Sequence, residues 1–112
     1  MPHIIVEHTD DIEGMDALVG DLHQSLAGQE SVTLGAIKSR SITIQNAFVG
    51  EAQNGSQNNS MVHVTIKLLS GRSDELRAKM TGDLLNVVKS KVASSTSVTV
   101  ESVELHDQSY QK

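Results

Sequence analysis

Three residues of this chain could do chemistry together: Pro2, Arg40, and Arg72 within Gly71-Arg72-Ser73. A small second residue is the usual condition for removal of an initiator methionine. Loss of Met1 would leave Pro2 with a free secondary amine, a candidate general base. With Met1 attached, the same nitrogen is an amide and has no basicity. A free α-amino group titrates near ~8, with the proline nitrogen somewhat higher, so at neutrality it is mostly protonated unless its surroundings disfavour the ammonium. Burial in an apolar pocket and neighbouring guanidinium groups both do so. The same two arginines would hold a dianionic substrate and stabilise a developing dienolate.

Each of these residues also has a plainer reading. Proline at position 2 is an ordinary start to a strand, where its missing N–H is harmless. Arg72 precedes a helix start, where the dipole repels a guanidinium and attracts an anion, so it is out of place unless a carboxylate or phosphate joins it. With such a ligand, backbone N–H groups and the bidentate fork make a strong carboxylate site. Without one, Arg72 is a surface residue paired with Asp74 or Glu75, and spacing alone favours that pairing.

Other chemistries find little support. His3 and His63 occupy matching places in two similar segments and could lie on neighbouring strands, but two imidazoles without a third ligand make no metal site. No acidic cluster has metal-loop spacing. Glycine-rich phosphate loops, GxSxG and Ser/His/Asp arrangements are missing from the sequence. Neither metal nor cofactor is expected.

The elements that must position these residues belong to one domain, residues 1–112. Apolar residues make up 38% and aromatics 2% (Phe48 and Tyr110), so Val, Ile, Leu and Met must build the core, and oligomerisation would help so small a domain. There is no cysteine, no apolar run of membrane-spanning length and no secretion signal, which reads as a soluble cytoplasmic protein. A net charge of -5 argues against a nucleic-acid partner. An anionic ligand must be met by a few placed cations.

Residues 2–7 are short and β-branched, a strand. Asp10 and Glu13 have capping-box spacing, and Ile12, Met15, Leu18, Val19, Leu22 and Leu26 recur at helical intervals until Gly28. Residues 38–45 alternate polar and apolar, with Arg40, Ile42 and Ile44 on one face. Residues 50–60 are rich in Gly, Asn and Ser, with nothing to bury, and read as a loop or exposed hairpin connection. Met61 to Lys67 echoes Met1 to Glu7 at an offset of 60 residues. Ser73, Asp74 and Glu75 mark a second helix start, with the stripe Leu76, Met80, Leu84, Val87, Val88 and Val92. A last strand spans residues 97–105, where the broken alternation at Glu101-Ser102 predicts a bulge, and a polar, frayed tail follows from His106. The order is strand, helix, strand, twice over. It predicts an α+β fold of two right-handed βαβ units, a four-stranded mixed sheet with two helices on one face and the other face left for a partner subunit.

Met1-Pro2-His3-Ile4-Ile5-Val6-Glu7, Gly35-Ala36-Ile37-Lys38-Ser39-Arg40, and Val62-His63-Val64-Thr65-Ile66 followed by Gly71-Arg72-Ser73 together resemble the 5-carboxymethyl-2-hydroxymuconate isomerases of the tautomerase superfamily. The likeness runs over about residues 1–105. It implies a homotrimer of β-α-β-β-α-β subunits that moves a proton between carbons of an enol or dienol in homoprotocatechuate (4-hydroxyphenylacetate) catabolism, without metal or cofactor. Carried over by position, Pro2 is the proton acceptor and donor, while Arg40 and Arg72 bind substrate carboxylates. Sites near subunit boundaries leave Arg40 free to come from a neighbour. Lys38 departs from the family pattern, which usually has arginine there. Related reactions, phenylpyruvate-type tautomerisation or hydration of an unsaturated acid, and a non-catalytic trimeric binding domain are the alternatives.

Overall fold

The computed structural model describes residues 1–53 and 58–112. Part of the polar stretch at 50–60, residues 54–57, therefore lies outside the described residues. The elements run β1 (His3–Thr9), α1 (Met15–Ala27), a 3-10 turn (Leu34–Ala36), β2 (Lys38–Ile44), β3 (Met61–Leu69), α2 (Asp74–Lys89) and β4 (Ser97–Leu105). The strands form one sheet in the order β2-β1-β3-β4. β1 pairs parallel with β2 and β3 parallel with β4, while β1 and β3 meet antiparallel at the centre. Each half is thus a strand-helix-strand unit, and the expected four-stranded mixed sheet is present.

Period-two alternation assigns the sheet faces. Ile4 and Val6 of β1, with Val62, Val64, Ile66 and Leu68 of β3, are buried against Leu18, Leu22 and Leu26 of α1 and Met80, Leu84 and Val88 of α2. One core therefore lies between the sheet and its two helices. The opposite face carries His3 and Ile5 on β1, Arg40 and Ile42 on β2, His63 and Thr65 on β3, and Glu101 and Val103 on β4. No element covers it among the described residues; Ile42 is 50% exposed and Val103 37% exposed. No helix among the described residues is long and apolar enough to cross a membrane.

Ser73 caps α2 as expected, its hydroxyl accepting from the Leu76 N–H at 3.1 Å, with Asp74 and Glu75 in the favourable first turn. Four other expectations need correction. α1 begins at Met15 behind Gly14, whose φ of 70° lies in the left-handed region, with no side-chain cap; Asp10 and Glu13 form no capping box. Asp11 instead accepts a hydrogen bond from the Ser60 hydroxyl. β4 has no bulge, because its pairing with β3 is continuous from Ser97 to Leu105. The break in alternation arises because Ser102 falls on the helix-facing side and Val103 on the open face.

The 50–60 stretch does bury polar residues. Asn59 and Ser60 are buried, and the Asn59 amide accepts from the Val49 N–H at 2.6 Å and donates to the Ala47 carbonyl. Nor is the tail loose. Asp107 accepts from the Ser70 backbone N–H (3.2 Å) and hydroxyl (2.7 Å), and the amides of Ser109 and Tyr110 close onto the His106 carbonyl.

Candidate functional site

Pro2 is buried at the start of β1, with backbone anchors on both sides. Its carbonyl accepts from the Lys38 N–H at 3.0 Å, and the Met1 amine donates to the Ala36 carbonyl at 2.6 Å. The 3-10 turn and the head of β2 thus hold the amino-terminal segment in place. Beside it lies a small cleft of about 90 Å³ lined by Met1, Pro2, Leu68, Leu69 and Arg72. β1 places Pro2, the end of β3 supplies the two leucines, and the turn into α2 brings Arg72. Two of the three residues singled out in the sequence therefore share one concave site.

The geometry of Arg72 excludes the surface pairing. Asp74 is taken by Arg77 at 2.5 Å, and no carboxylate pairs with Arg72 among the described residues. Its guanidinium is held by neutral acceptors instead: Nε donates to the Ser31 hydroxyl at 3.2 Å, Nη2 to the Ser31 carbonyl at 3.1 Å and Nη1 to the Leu69 carbonyl at 3.4 Å. Guanidinium carries five N–H donors. Three are engaged, leaving one on each terminal nitrogen for an anion. The site can therefore bind an anion without first breaking an ion pair.

Arg40 is elsewhere within this chain. It does not line the cleft; it lies on the open face of β2, where Nη1 donates to Nδ1 of His3 at 3.1 Å. A guanidinium has no acceptor, so Nδ1 of His3 accepts and Nε2 carries the proton, donating to the Tyr110 hydroxyl at 2.8 Å. The His3 and Tyr110 rings meet edge to face with centroids 5.9 Å apart. Burial, followed by the charge of Arg40, the chain amine, Lys38 and Lys67, holds the His3 imidazole below its ordinary pKa. The Met1 ammonium is likewise lowered, first by burial and then by Lys38 and Lys112. This corner of the molecule disfavours added protons.

The cluster of His3 and Tyr110 around Arg40 lies outside the cleft and has no counterpart in the sequence reading, which considers His3 as a metal ligand and Tyr110 as part of a frayed tail. A usable signal for His3 is its place next to Pro2. His3 and His63 do lie on adjacent antiparallel strands, but His3 stands opposite Lys67 and His63 opposite Glu7. His63 bonds Thr99 and Glu101, both at 2.6 Å. Among the described residues, no group of three His, Cys, Asp or Glu side chains could hold a metal.

The family described as 5-carboxymethyl-2-hydroxymuconate isomerase matches residues 2–109. Among solved structures, a 5-carboxymethyl-2-hydroxymuconate isomerase from Deinococcus radiodurans R1 superposes with a TM-score of 0.86 at 19% identity, covering 99% of this chain and 87% of that one. A 5-carboxymethyl-2-hydroxymuconate delta-isomerase gives 0.80 at 11% identity, covering 100% and 87%. A fused 4-OT described as a wild type symmetric trimer gives 0.76 at 16% identity, covering 92% and 86%. At these identities the likenesses establish the shared fold. No curated protein sequence matches significantly. From the family match over nearly its whole length, the chain belongs to the 5-carboxymethyl-2-hydroxymuconate isomerase family and is an isomerase of the tautomerase type.

Proposed function

We propose that this isomerase, once Met1 is removed, uses the Pro2 amine as general base and acid on an anionic enol or dienol, with 5-carboxymethyl-2-hydroxymuconate of homoprotocatechuate catabolism as the substrate and the cytoplasm as the compartment. The observation that carries the reading is the shared cleft of Pro2 and Arg72, in which the arginine has no counter-ion among the described residues. Neutral Pro2 takes a proton from the substrate, and Arg72 offsets the charge gathering on the oxygens. The prolinium then returns that proton at a distant carbon, so the base is regenerated and no redox partner is needed. An uncapped Pro2 nitrogen would lie in the same corner, where burial and then Lys38 and Lys112 lower the Met1 ammonium, and burial and cations act in the same direction on any amine.

At about 90 Å³ the cleft is smaller than sites for drug-sized ligands, which run from roughly 300 Å³. Met1 is one of its walls, so removing Met1 both frees the nitrogen and enlarges the space. A homotrimer built through the open sheet face would add the remaining wall, with Arg40 reaching the cleft of a neighbouring subunit. The test is enol-to-keto conversion of 5-carboxymethyl-2-hydroxymuconate by protein whose intact mass is known, beside Pro2→Ala and Arg72→Ala. Turnover by Pro2→Ala at the parent rate removes the proline ring from the scheme, turnover by the Met1-retaining chain at that rate removes the terminal amine as base, and a better rate on phenylpyruvate than on the tricarboxylate reassigns the substrate.

A further inference from the structure

Ser31 is the sole non-glycine residue among the described residues with a left-handed backbone, at φ 66°. A side chain rarely adopts that conformation, and where it persists the surroundings must impose it. Here the conformation directs two acceptors of one residue at a single partner: the Ser31 carbonyl takes Nη2 of Arg72 and the Ser31 hydroxyl takes Nε, forty-one residues along the chain. The loop holding Ser31 is itself fixed to the helix that follows Arg72. Gln29, 9% exposed, donates from Nε2 to Asp83 of α2 at 2.6 Å and accepts from Lys79 at 3.4 Å. The Val32 N–H closes back on the Gln29 carbonyl at 3.3 Å. Ser31 therefore stands on a short arm anchored to α2, and it grips the guanidinium of Arg72 in the turn that precedes α2.

From this geometry we propose that Ser31 is a positioning residue for Arg72, fixing the plane of the guanidinium so that its two uncommitted N–H groups are presented to a substrate carboxylate. The inference rests on the assignment of Arg72 as the carboxylate-binding group. An arginine side chain has many rotamers, and a bidentate contact requires one plane. The Leu69 carbonyl holds Nη1 alone, at 3.4 Å, whereas the hydroxyl and carbonyl of Ser31 hold the edge formed by Nε and Nη2, and the paired contact along that edge sets the plane. Both are neutral, so the charge stays available to the ligand. A carboxylate in the place of Ser31 would orient the fork equally well and cancel its charge.

The experiment is steady-state kinetics with 5-carboxymethyl-2-hydroxymuconate together with thermal melting. Ser31→Ala removes the hydroxyl acceptor and is expected to raise KM roughly 3- to 10-fold, with a smaller change in kcat and a melting temperature near the parent's. Ser31→Gly also relieves the backbone, and is expected to melt no lower than the parent while losing at least as much affinity. Ser31→Asn tolerates the left-handed region and offers a side-chain oxygen, so it should recover much of the loss. A structural tie would show the reverse: lowered melting temperature and unchanged KM. If KM is unchanged in Ser31→Ala but raised in Arg72→Ala, the positioning role is overturned and the carboxylate-binding role of Arg72 survives. If neither variant moves KM, both are overturned.

Discussion

Replacing Arg72 by alanine removes the one cationic side chain that lines the cleft with Pro2 among the described residues. The three hydrogen bonds lost within the protein run to neutral acceptors, two at 3.1 and 3.2 Å on exposed Ser31 and one at 3.4 Å, part-buried, at the end of β3. Water can satisfy those acceptors afterwards, so the cost to folding stays at the level of one ordinary hydrogen bond, about 1 kcal/mol. The loss to binding is larger. A substrate carboxylate loses charge-assisted contacts worth about 1.5–3 kcal/mol, which corresponds to roughly a 10- to 150-fold fall in kcat/KM. Arg72→Lys keeps the charge but loses the fork, and should fall between the parent and Arg72→Ala. Steady-state kinetics on the tricarboxylate enol, with circular dichroism to confirm folding, makes the comparison. A folded Arg72→Ala whose kcat/KM lies within twofold of the parent refutes the assignment of this cation.

Other consequences are open to measurement. NMR titration of the His3 imidazole should give a pKa below 6.5, moving upward in Arg40→Ala, since burial and then Arg40 hold it down. Because the folded value lies below the unfolded one, the contribution of His3 to stability is complete above pH ~6.5 and is lost as pH falls through the folded pKa; equal stability in Arg40→Ala and parent across that window would contradict it. Ser73→Ala removes the α2 cap and should cost about 1 kcal/mol by chemical denaturation. Ile42→Glu places a charge on the half-exposed residue of the open sheet face and should shift the proposed trimer toward monomer in sedimentation velocity, with no change for Gln24→Glu on the exposed side of α1.

Strand and helix order was legible because β1 and β3 carry β-branched residues on alternate positions and α2 has a serine cap in front of an apolar stripe. The separation of Arg40 from Pro2 was implicit in the same alternation: Arg40 shares a face with Ile42 and Ile44, and that face carries no helix. What sequence could not supply were contacts made by polar groups out of register with any periodicity. Asp10 and Glu13 satisfy the capping-box spacing, but the left-handed turn at Gly14 delays the helix to Met15 and frees Asp11 for Ser60. Asn59 is polar yet buried because backbone groups at Ala47 and Val49 need partners. The clasp of Ser31 on Arg72 leaves no mark in the sequence, since any loop serine looks alike until its φ is known.

The amine of Pro2 is the point on which the proposed isomerase mechanism turns. The most direct measurement compares turnover of 5-carboxymethyl-2-hydroxymuconate by two preparations of the same chain, one whose intact mass lacks Met1 and one in which Met1 is retained. The account predicts that isomerisation belongs to the first preparation and falls to background in the second. Equal turnover by the chain that keeps Met1 would contradict it, because the lone pair of a Pro2 amide nitrogen is delocalised into the carbonyl and is not basic.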